Sequence, residues 1–358
     1  KQDSIGNDTE FNVKSRFESL GVFLPANVQK MNDRIASMTN PPMFDLGAIT
    51  GIKETRVAND DEDSLHLAIQ AAKDALKRSK YKPGDLDVVI SCSISRYVDG
   101  PAHNNLFEPP LSLFIKNELG APQAMHFDVS NACAGMFTGV LLLDRMIKAG
   151  VAKTGLVVSG EHITHISRTA VKEIRTATDP QFGSMTVGDS AAAVIMDQTT
   201  DENEGIDYLE LMTCSEYSRL CIGMPSNENP GPALYTINAE MHKKDRIQLW
   251  PNYQMDYYKS KQADIKTEKF DYVVHHQVGL KAVSNFNRYG SEYFQFQLPD
   301  PLNILEETGN TSTTSHFLVL HKALKDGTLK KGMKVLLVPA ASGVVTGFLS
   351  LKISNLGV

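Results

Sequence analysis

Cysteine, tryptophan and long apolar runs are scarce in this chain. Its 358 residues include 4 cysteines and 1 tryptophan. No Cys-x-x-Cys pair occurs, which excludes a zinc knuckle or a thioredoxin-type motif and indicates free thiols in a reducing cytoplasm. No run of about 18 apolar residues exists, so a transmembrane helix is excluded. The stretch 1–9 is polar, and we therefore expect no signal peptide.

A strong excess of charge of one sign is also lacking. The sequence holds 36 Lys and Arg against 42 Asp and Glu, a net charge of -6. This slightly acidic balance disfavours a protein that binds nucleic-acid backbones. The hydrophobic fraction is 42% and the charged fraction 22%, which is ordinary for a globular protein and excludes a disordered one. We expect neither a metal ion nor an organic cofactor.

Strand-like and helix-like patterns alternate along the chain, and this order predicts an α/β fold with a mostly parallel sheet. The clearest helix has apolar residues at helical spacing within 60–81, with Asp63 and Ser64 as candidates for its N-cap. The other elements predicted before residue 199 are a helix at 130–149 and strands at 15–23, 86–91, 125–129, 155–159 and 190–197.

The acidic segment 199–205 is interpreted as a junction between two halves. The same alternation then resumes, with helices predicted at 278–287 and 315–326 and strands at 206–214, 272–274, 334–338 and 347–353. We therefore predict a flexible tail at 1–10, a first half at 11–198 and a second half at 199–358. The less regular stretch 227–269 is interpreted as an insertion packed over the body, with a role in the substrate cavity or in a dimer contact as the alternative.

The first motif with chemical potential is NACAG, residues 131–135. It follows a predicted strand and opens a predicted helix, and its thiol is Cys133. The positive end of a helix dipole favours a thiolate, so Cys133 is a candidate nucleophile. The small neighbours Ala132, Ala134 and Gly135 leave room for a substrate carbonyl. A small buried residue without chemistry is an equally good interpretation of this motif taken alone.

Two further motifs lie in the second half. His275-His276-Gln277 follows a strand, where an imidazole can exchange protons with a group in a cleft, although a histidine there is more often structural. At most one of the two histidines can face such a cleft, and the His-Gln turn favours His276. Gly309-Asn310-Thr311-Ser312 presents a carboxamide, but it is also an ordinary helix cap.

Cys133, His276 and Asn310, in this order and with these flanks, resemble the catalytic set of thiolase-fold condensing enzymes. The resemblance is to the ketoacyl-acyl-carrier-protein synthase III branch, and it runs from about residue 17 to residue 353. The family's fold consists of two duplicated βαβαβαββ halves in a five-layer αβαβα arrangement, and its members are usually homodimers. The resemblance therefore implies this architecture and this assembly for the chain.

The resemblance also implies a mechanism. Cys133 is acylated by acyl-CoA or by an acyl-carrier protein, and its oxyanion meets the N–H groups of Cys133 and of Ser342 or Gly343. A Claisen condensation with a second thioester then gives a β-ketoacyl product for fatty-acid or secondary-metabolite biosynthesis, with His276 and Asn310 holding the thioester oxygen. The position of Lys281 implies that it meets the acidic carrier protein, and a solvated helix lysine is an equally good interpretation.

The segment Leu106–Pro110 (LFEPP) resembles a different sub-branch. Similar turns occur in the olefin-pathway thiolase, which joins two acyl chains, and in ketosynthase/cyclases that make dialkylresorcinols and stilbenes. Glu108 is therefore a candidate base for a non-decarboxylative or cyclising condensation, or else a solvated loop carboxylate. The usual HQAN motif reads HQVG here, so one asparagine is missing. The other alternative is an acyl-transfer enzyme on the same scaffold that esterifies an alcohol or hydrolyses a thioester.

Overall fold

The computed structural model describes residues 13–98, 104–176 and 178–358, so the predicted tail at 1–10 lies outside the described residues. The strands are β1 (Lys14–Phe23), β2 (Val28–Lys30), β3 (Glu54–Arg56), β4 (Val88–Ser91), β5 (Tyr97–Val98), β6 (Asn104–Asn105), β7 (Met125–Asp128), β8 (Thr154–Glu161), β9 (Ser190–Thr199), β10 (Gly205–Thr213), β11 (Cys221–Pro225), β12 (Pro232–Thr236), β13 (Tyr272–His275), β14 (Lys334–Val338), β15 (Ala340–Ala341) and β16 (Val345–Lys352).

The α-helices of the described ranges are α1 (Met31–Ala36), α2 (Leu46–Thr50), α3 (Ser64–Arg78), α4 (Leu111–Leu119), α5 (Gly135–Lys148), α6 (Thr164–Glu173), α7 (Asn238–Met241), α8 (Lys244–Ile247), α9 (Leu249–Lys261), α10 (Ile265–Glu268), α11 (Leu280–Phe294), α12 (Leu305–Thr308) and α13 (Ser315–Lys325). Helix α3 begins where the sequence predicts, because the Asp63 side chain accepts a hydrogen bond from the His66 N–H at 2.8 Å. None of these helices is long and apolar enough to cross a membrane.

Two main sheets organise the chain. The first has the order β1-β9-β8-β4-β7, and the second has the order β10-β16-β14-β13. Strands β8, β4 and β7 are parallel, but β9 runs antiparallel to β8 and to β1. The prediction of a mostly parallel sheet is therefore wrong. The reason is that α6 packs mainly against the 3-10 turn Pro180–Thr186 and β12 instead of crossing the sheet, so β9 returns in the opposite direction.

Five layers result from this arrangement. Helices α5 and α13 are sandwiched between the two sheets, and their apolar residues share the largest core cluster with strands of both sheets. Helices α3 and α4 cover the outer face of the first sheet. Helices α9 and α11 cover the outer face of the second sheet, within the cluster that holds the buried Trp250. The five-layer α/β architecture expected from the sequence is thereby confirmed.

Close backbone approach fixes how the outer helix meets the first sheet. A Cβ atom on Gly21 of β1 would lie 2.1 Å from the Ala75 nitrogen of α3. The alanines Ala68, Ala71, Ala72 and Ala75 form the buried face of that helix. Small residues on both elements therefore allow the helix to sit directly on the strand, since packed interiors leave no room for larger ones.

Candidate active site

Cys133 lies in a 3-10 turn, Ala132–Ala134, that runs directly into α5. Ala132 adopts a left-handed backbone conformation with a φ of 45°. Such a conformation is strained for a residue with a side chain, and strain of this kind concentrates at functional sites. The Cys133 Sγ atom is 3.4 Å from the Ser312 Oγ atom, and small apolar residues pack around the turn. The nucleophile predicted from the sequence is thus held in a special turn instead of an ordinary helical position.

Asn310 lies on the loop between α12 and the 3-10 turn Ser312–Thr314. Its Oδ1 atom accepts a hydrogen bond from the Ser312 N–H at 2.9 Å. Because the oxygen is occupied in this way, the amide NH2 group is left as a hydrogen-bond donor. Ser312 itself has a left-handed backbone with a φ of 58°. The same serine therefore connects the Asn310 turn to the Cys133 thiol.

His276 is buried in the turn that follows β13. Its ring is stacked on that of His316, with centroids 5.9 Å apart and an interplanar angle of 9°. The expectation that at most one of the two histidines faces the cleft is wrong, because His275 lines the same cavity. Its Nε2 atom, however, lies 3.1 Å from the Asn287 Oδ1 atom. The Gln277 side chain ties the turn together, because it donates to the His275 carbonyl at 2.8 Å and accepts from the Ile304 N–H at 3.1 Å.

One cavity of about 1120 Å³ brings these groups together. Cys133, His276 and Asn310 all line it, as do Ser312 and Ser342. Large parts of its wall are apolar, among them Leu46, Ile163, Phe182, Ile247, Trp250 and Phe286. Arg246 and Lys281 are the charged side chains among the described lining residues, and no described carboxylate lines the cavity. A long apolar chain next to a thiol is the kind of ligand that fits such a wall.

Burial controls the protonation of both reactive groups. It raises the pKa of the Cys133 thiol to about 12, although the hydrogen bond with Ser312 opposes the shift. It lowers the pKa of His276 to about 4, so that the imidazole is neutral at pH 7. Burial thus works against the thiolate that the start of the helix favours.

The loop that closes over the site carries the predicted oxyanion donors. Ser342 lines the cavity, whereas Gly343, with a φ of 129°, is not among the lining residues. Two backbone hydrogen bonds hold this loop, from the Cys214 N–H to the Val344 carbonyl at 2.7 Å and from the Val344 N–H to the Cys214 carbonyl at 3.2 Å. Ala341 packs against the turn of the nucleophile, so the loop and Cys133 lie next to each other.

The two remaining candidates lie farther from the chemistry. Lys281, at the start of α11, is exposed and lines the cavity. Glu108 is exposed as well, but the single chain does not bring it to the cavity wall. Sequence reasoning missed His242 and Arg246, which line the cavity from the irregular stretch 227–269. The sequence feature that could have indicated this role is the presence of basic residues close to Trp250 in a segment without clear periodicity.

Comparisons with known proteins agree with this geometry. The model of the family "3-Oxoacyl-[acyl-carrier-protein (ACP)] synthase III" matches residues 127–215, and the model of its C-terminal part matches residues 260–353. The β-ketoacyl-[acyl-carrier-protein] synthase III of Listeria monocytogenes is 27% identical over 305 residues, which cover 85% of this chain and 88% of the relative. The Clostridium novyi protein with the same name is 25% identical over 346 residues, 94% of this chain and 98% of the relative.

Solved structures show the same fold. The 3-oxoacyl-[acyl-carrier-protein] synthase III of Aquifex aeolicus has a TM-score of 0.77 at 23% identity and covers 95% of this chain and 100% of its own. A variant of OleA from Xanthomonas campestris has a TM-score of 0.79 at 22% identity and covers 96% of this chain and 97% of its own. The chain belongs to the 3-oxoacyl-[acyl-carrier-protein] synthase III branch of the thiolase-fold condensing enzymes, which are acyltransferases.

Proposed function

We propose that the chain condenses two acyl thioesters, with Cys133 as the acylated residue and His276 and Asn310 as donors to the enolate. The observation that carries this proposal is the shared cavity, which collects the thiol, the imidazole and the carboxamide between apolar walls. The relatives named above as β-ketoacyl synthases support it. The catalysis takes place in the cytoplasm, on acyl groups carried by coenzyme A or by a carrier protein.

The first half-reaction acylates Cys133. Its sulfur attacks the thioester carbonyl, the carbon–sulfur bond to the donor breaks, and the Cys133 proton ends on the released thiol. The negative oxygen of the intermediate is stabilised by backbone N–H groups of Cys133 and of the closing loop at Ser342 or Gly343. Because burial raises the pKa of the Cys133 thiol, a proton has to leave it during the attack, and His276 is a neutral imidazole on the cavity wall that can relay this proton.

The second half-reaction forms the carbon–carbon bond. Loss of carbon dioxide from a malonyl thioester leaves the electron pair on its α-carbon as an enolate. This carbon attacks the acyl carbonyl on Cys133, the bond between this carbonyl and the Cys133 sulfur breaks, and the sulfur takes up a proton from solvent. The enolate oxygen receives hydrogen bonds from His276 and from the Asn310 NH2 group. Neutral donors suit a developing anion in a cavity whose described lining contains no carboxylate.

The decisive experiment is intact-mass analysis after incubation with a panel of acyl-CoA and acyl-carrier thioesters, followed by addition of a malonyl thioester. We expect an acyl mass increment that disappears in Cys133→Ala and a β-ketoacyl product in the wild type. Cys221→Ala is the matched control, because Cys221 is the other thiol that lines the cavity. Acylation that persists in Cys133→Ala contradicts the assignment of the nucleophile.

A second candidate reaction is the condensation of two acyl chains without loss of carbon dioxide, with Glu108 as the base. The LFEPP turn and the OleA neighbours favour it, and one solved OleA structure holds lauric acid and lauroyl-CoA. Glu108→Gln should then slow condensation with a long acyl thioester and leave condensation with malonyl thioester unchanged. If Glu108→Gln and the wild type condense each of the two substrates at the same rate, Glu108 is a solvated loop carboxylate and not the base.

Assembly and carrier docking complete the proposal. We infer a homodimer, because β7 is an edge strand of the first sheet and the nearby Met125 and Phe114 are 52% and 37% exposed. An unpaired strand edge with apolar side chains favours pairing with a second copy. Sedimentation analysis should give twice the mass of the chain. Lys281 contacts the acidic carrier protein, so Lys281→Glu should raise KM for carrier-bound substrates but not for CoA thioesters.

A further inference from the structure

Arg34 is a buried charge without an ionic partner within hydrogen-bonding distance in the described chain. It lies on α1, is 1% exposed, and burial lowers its pKa to about 10, so it remains charged at neutral pH. Its guanidinium donates to four neutral oxygens, namely Gln29 Oε1 at 2.9 Å, Thr55 Oγ1 at 2.6 Å, the Met185 carbonyl at 2.9 Å and the Val187 carbonyl at 2.8 Å. A buried arginine is costly unless its donors are satisfied, which they are here by backbone and neutral side chains.

The segment 185–188 that Arg34 holds is bonded to Asn310 on its other edge. The Asn310 N–H donates to the Thr186 carbonyl at 2.9 Å, and the Gly188 N–H donates to the Asn310 carbonyl at 3.0 Å. Carbonyls of odd-numbered residues thus face Arg34, while groups of even-numbered residues face Asn310. The segment behaves as a short strand with the guanidinium on one edge and the proposed enolate donor on the other.

The backbone of segment 185–188 and the backbone next to Asn310 are packed so closely that neither has room for an additional Cβ atom. A Cβ atom on Gly188 would lie 2.3 Å from the Thr308 carbonyl oxygen, and one on Gly309 would lie 2.4 Å from the Thr186 carbonyl oxygen. Thr55, which accepts from Arg34, also lies beside both glycines. Because interiors packed this closely transmit strain, a shift of segment 185–188 moves the Asn310 backbone with it.

We propose that Arg34 is a positioning residue for the condensation step: it fixes segment 185–188 and thereby places the Asn310 carboxamide in the cavity. This inference rests on the proposed role of Asn310. It assigns to Arg34 no contact with substrate. Cys133 lies in a separate turn at the start of α5 and meets the Asn310 turn through its hydrogen bond with Ser312, so we expect acylation to depend on Arg34 less than condensation does.

The test compares Arg34→Met and Arg34→Lys with the wild type in two assays, acylation of Cys133 by intact mass and condensation with a malonyl thioester. Arg34→Met should lower kcat for condensation by roughly 10²-fold, the cost of a misplacement of about 1 Å. KM for the malonyl thioester and the extent of acylation should change little. Arg34→Lys keeps the charge but not the fork of donors, so its kcat for condensation should lie between those of the wild type and Arg34→Met.

Arg16→Met is the matched control. Arg16 is also an internally bonded arginine, paired with Asp197 at 2.7 Å and with Glu204 at 2.6 Å, but it lies on β1, and none of its hydrogen bonds reaches the site. We expect Arg16→Met to lower the melting temperature without a change in kcat for condensation. If Arg16→Met and Arg34→Met lose condensation to the same degree, Arg34 is only structural and the inference is overturned.

A double-variant cycle gives the readout that a merely structural role cannot produce. If Arg34 acts through Asn310, adding Arg34→Met to Asn310→Ala should lower kcat no further, whereas independent effects should multiply. Multiplying effects overturn the inference. If Arg34→Met does not fold, Thr55→Val, which removes one of the acceptors of Arg34, replaces it in the test. Slower condensation with normal acylation in Thr55→Val supports the inference, and unchanged condensation overturns it. A wild type that is acylated but never condenses refutes the proposed function itself, which separates the two failures.

Discussion

Three histidines buried in and below the site make the fold sensitive to acid. Burial lowers the pKa of His275 and of His276 to about 4 and that of His316 to about 3. In the unfolded chain each of them titrates near 6.5. The unfolded state therefore binds more protons below pH 6.5, so stability is complete above this pH and decreases as the pH falls towards 4.

The size of the loss follows from the same values. At pH 5 each histidine destabilises the folded state by about 2 kcal/mol relative to pH 8, and the three together by about 6 kcal/mol. This is a large share of the roughly 5–15 kcal/mol by which domains are stable. Activity and folded structure should therefore be lost together as the pH falls towards 5.

Urea unfolding at pH 8 and at pH 5 measures the effect, with His316→Gln as the informative variant. His316 Nε2 lies 3.0 Å from the Val338 carbonyl oxygen, and a glutamine amide can still donate there without titrating. The free-energy difference between wild type and His316→Gln should shift by about 2 kcal/mol between the two pH values, at an unchanged m-value. A difference that is the same at both pH values refutes the assignment of a buried, neutral His316.

Two further predictions concern the turns of the site. Iodoacetamide alkylates only the thiolate form of Cys133. Because the pKa of this thiol is raised to about 12, the alkylation rate should increase by about tenfold per pH unit between pH 7 and pH 10. Peptide mass analysis measures the rate, and a rate that levels off below pH 9 contradicts a buried Cys133 thiol. Gly309→Ala should lower the free energy of unfolding by more than about 1 kcal/mol, because residue 309 has a φ of 63° and the new Cβ atom would meet the Thr186 carbonyl oxygen. Thermal unfolding measures this loss. An unchanged melting temperature contradicts the close contact between Gly309 and Thr186.

The order of elements could be predicted from the sequence because it is encoded locally. Strand β14 has the predicted bounds, and α13 ends within one residue of its predicted end. Helix α11 begins two residues later than predicted and extends seven residues further, through Gly290. A Cβ atom on Gly290 would lie 2.4 Å from the Trp250 ring. Nothing in the spacing of α11 alone could show that a tryptophan from another segment covers this glycine.

The residues that line the cavity could be predicted only in part, for the same reason. Cys133, His276 and Asn310 stand in short motifs, and the structure places all three on one cavity. The protonation of Cys133 could not be predicted, since its pKa depends on how much of the surrounding chain excludes water. The helix start is visible in the sequence, whereas the desolvation that raises the pKa of Cys133 is a property of the tertiary structure.

The choice between the two condensations depends on which base is available for the second substrate. Glu161 is a buried carboxylate beside the Asn310 turn, but it accepts hydrogen bonds from Thr313 Oγ1 at 2.7 Å, from Ile94 N–H at 2.9 Å, and from both the N–H and the hydroxyl of Ser95. These donors stabilise it in place and leave it no free position from which to collect a substrate proton.

Glu108 is the remaining candidate, and the single chain leaves it exposed and away from the cavity wall. A malonyl thioester needs neither carboxylate, because the departure of carbon dioxide leaves the electron pair on the α-carbon and the donors His276 and Asn310 only have to stabilise it. In the proposed reaction, a decarboxylative condensation therefore requires no group beyond those that one chain brings to its cavity. A non-decarboxylative one requires, in addition, that Glu108 reach the bound substrate.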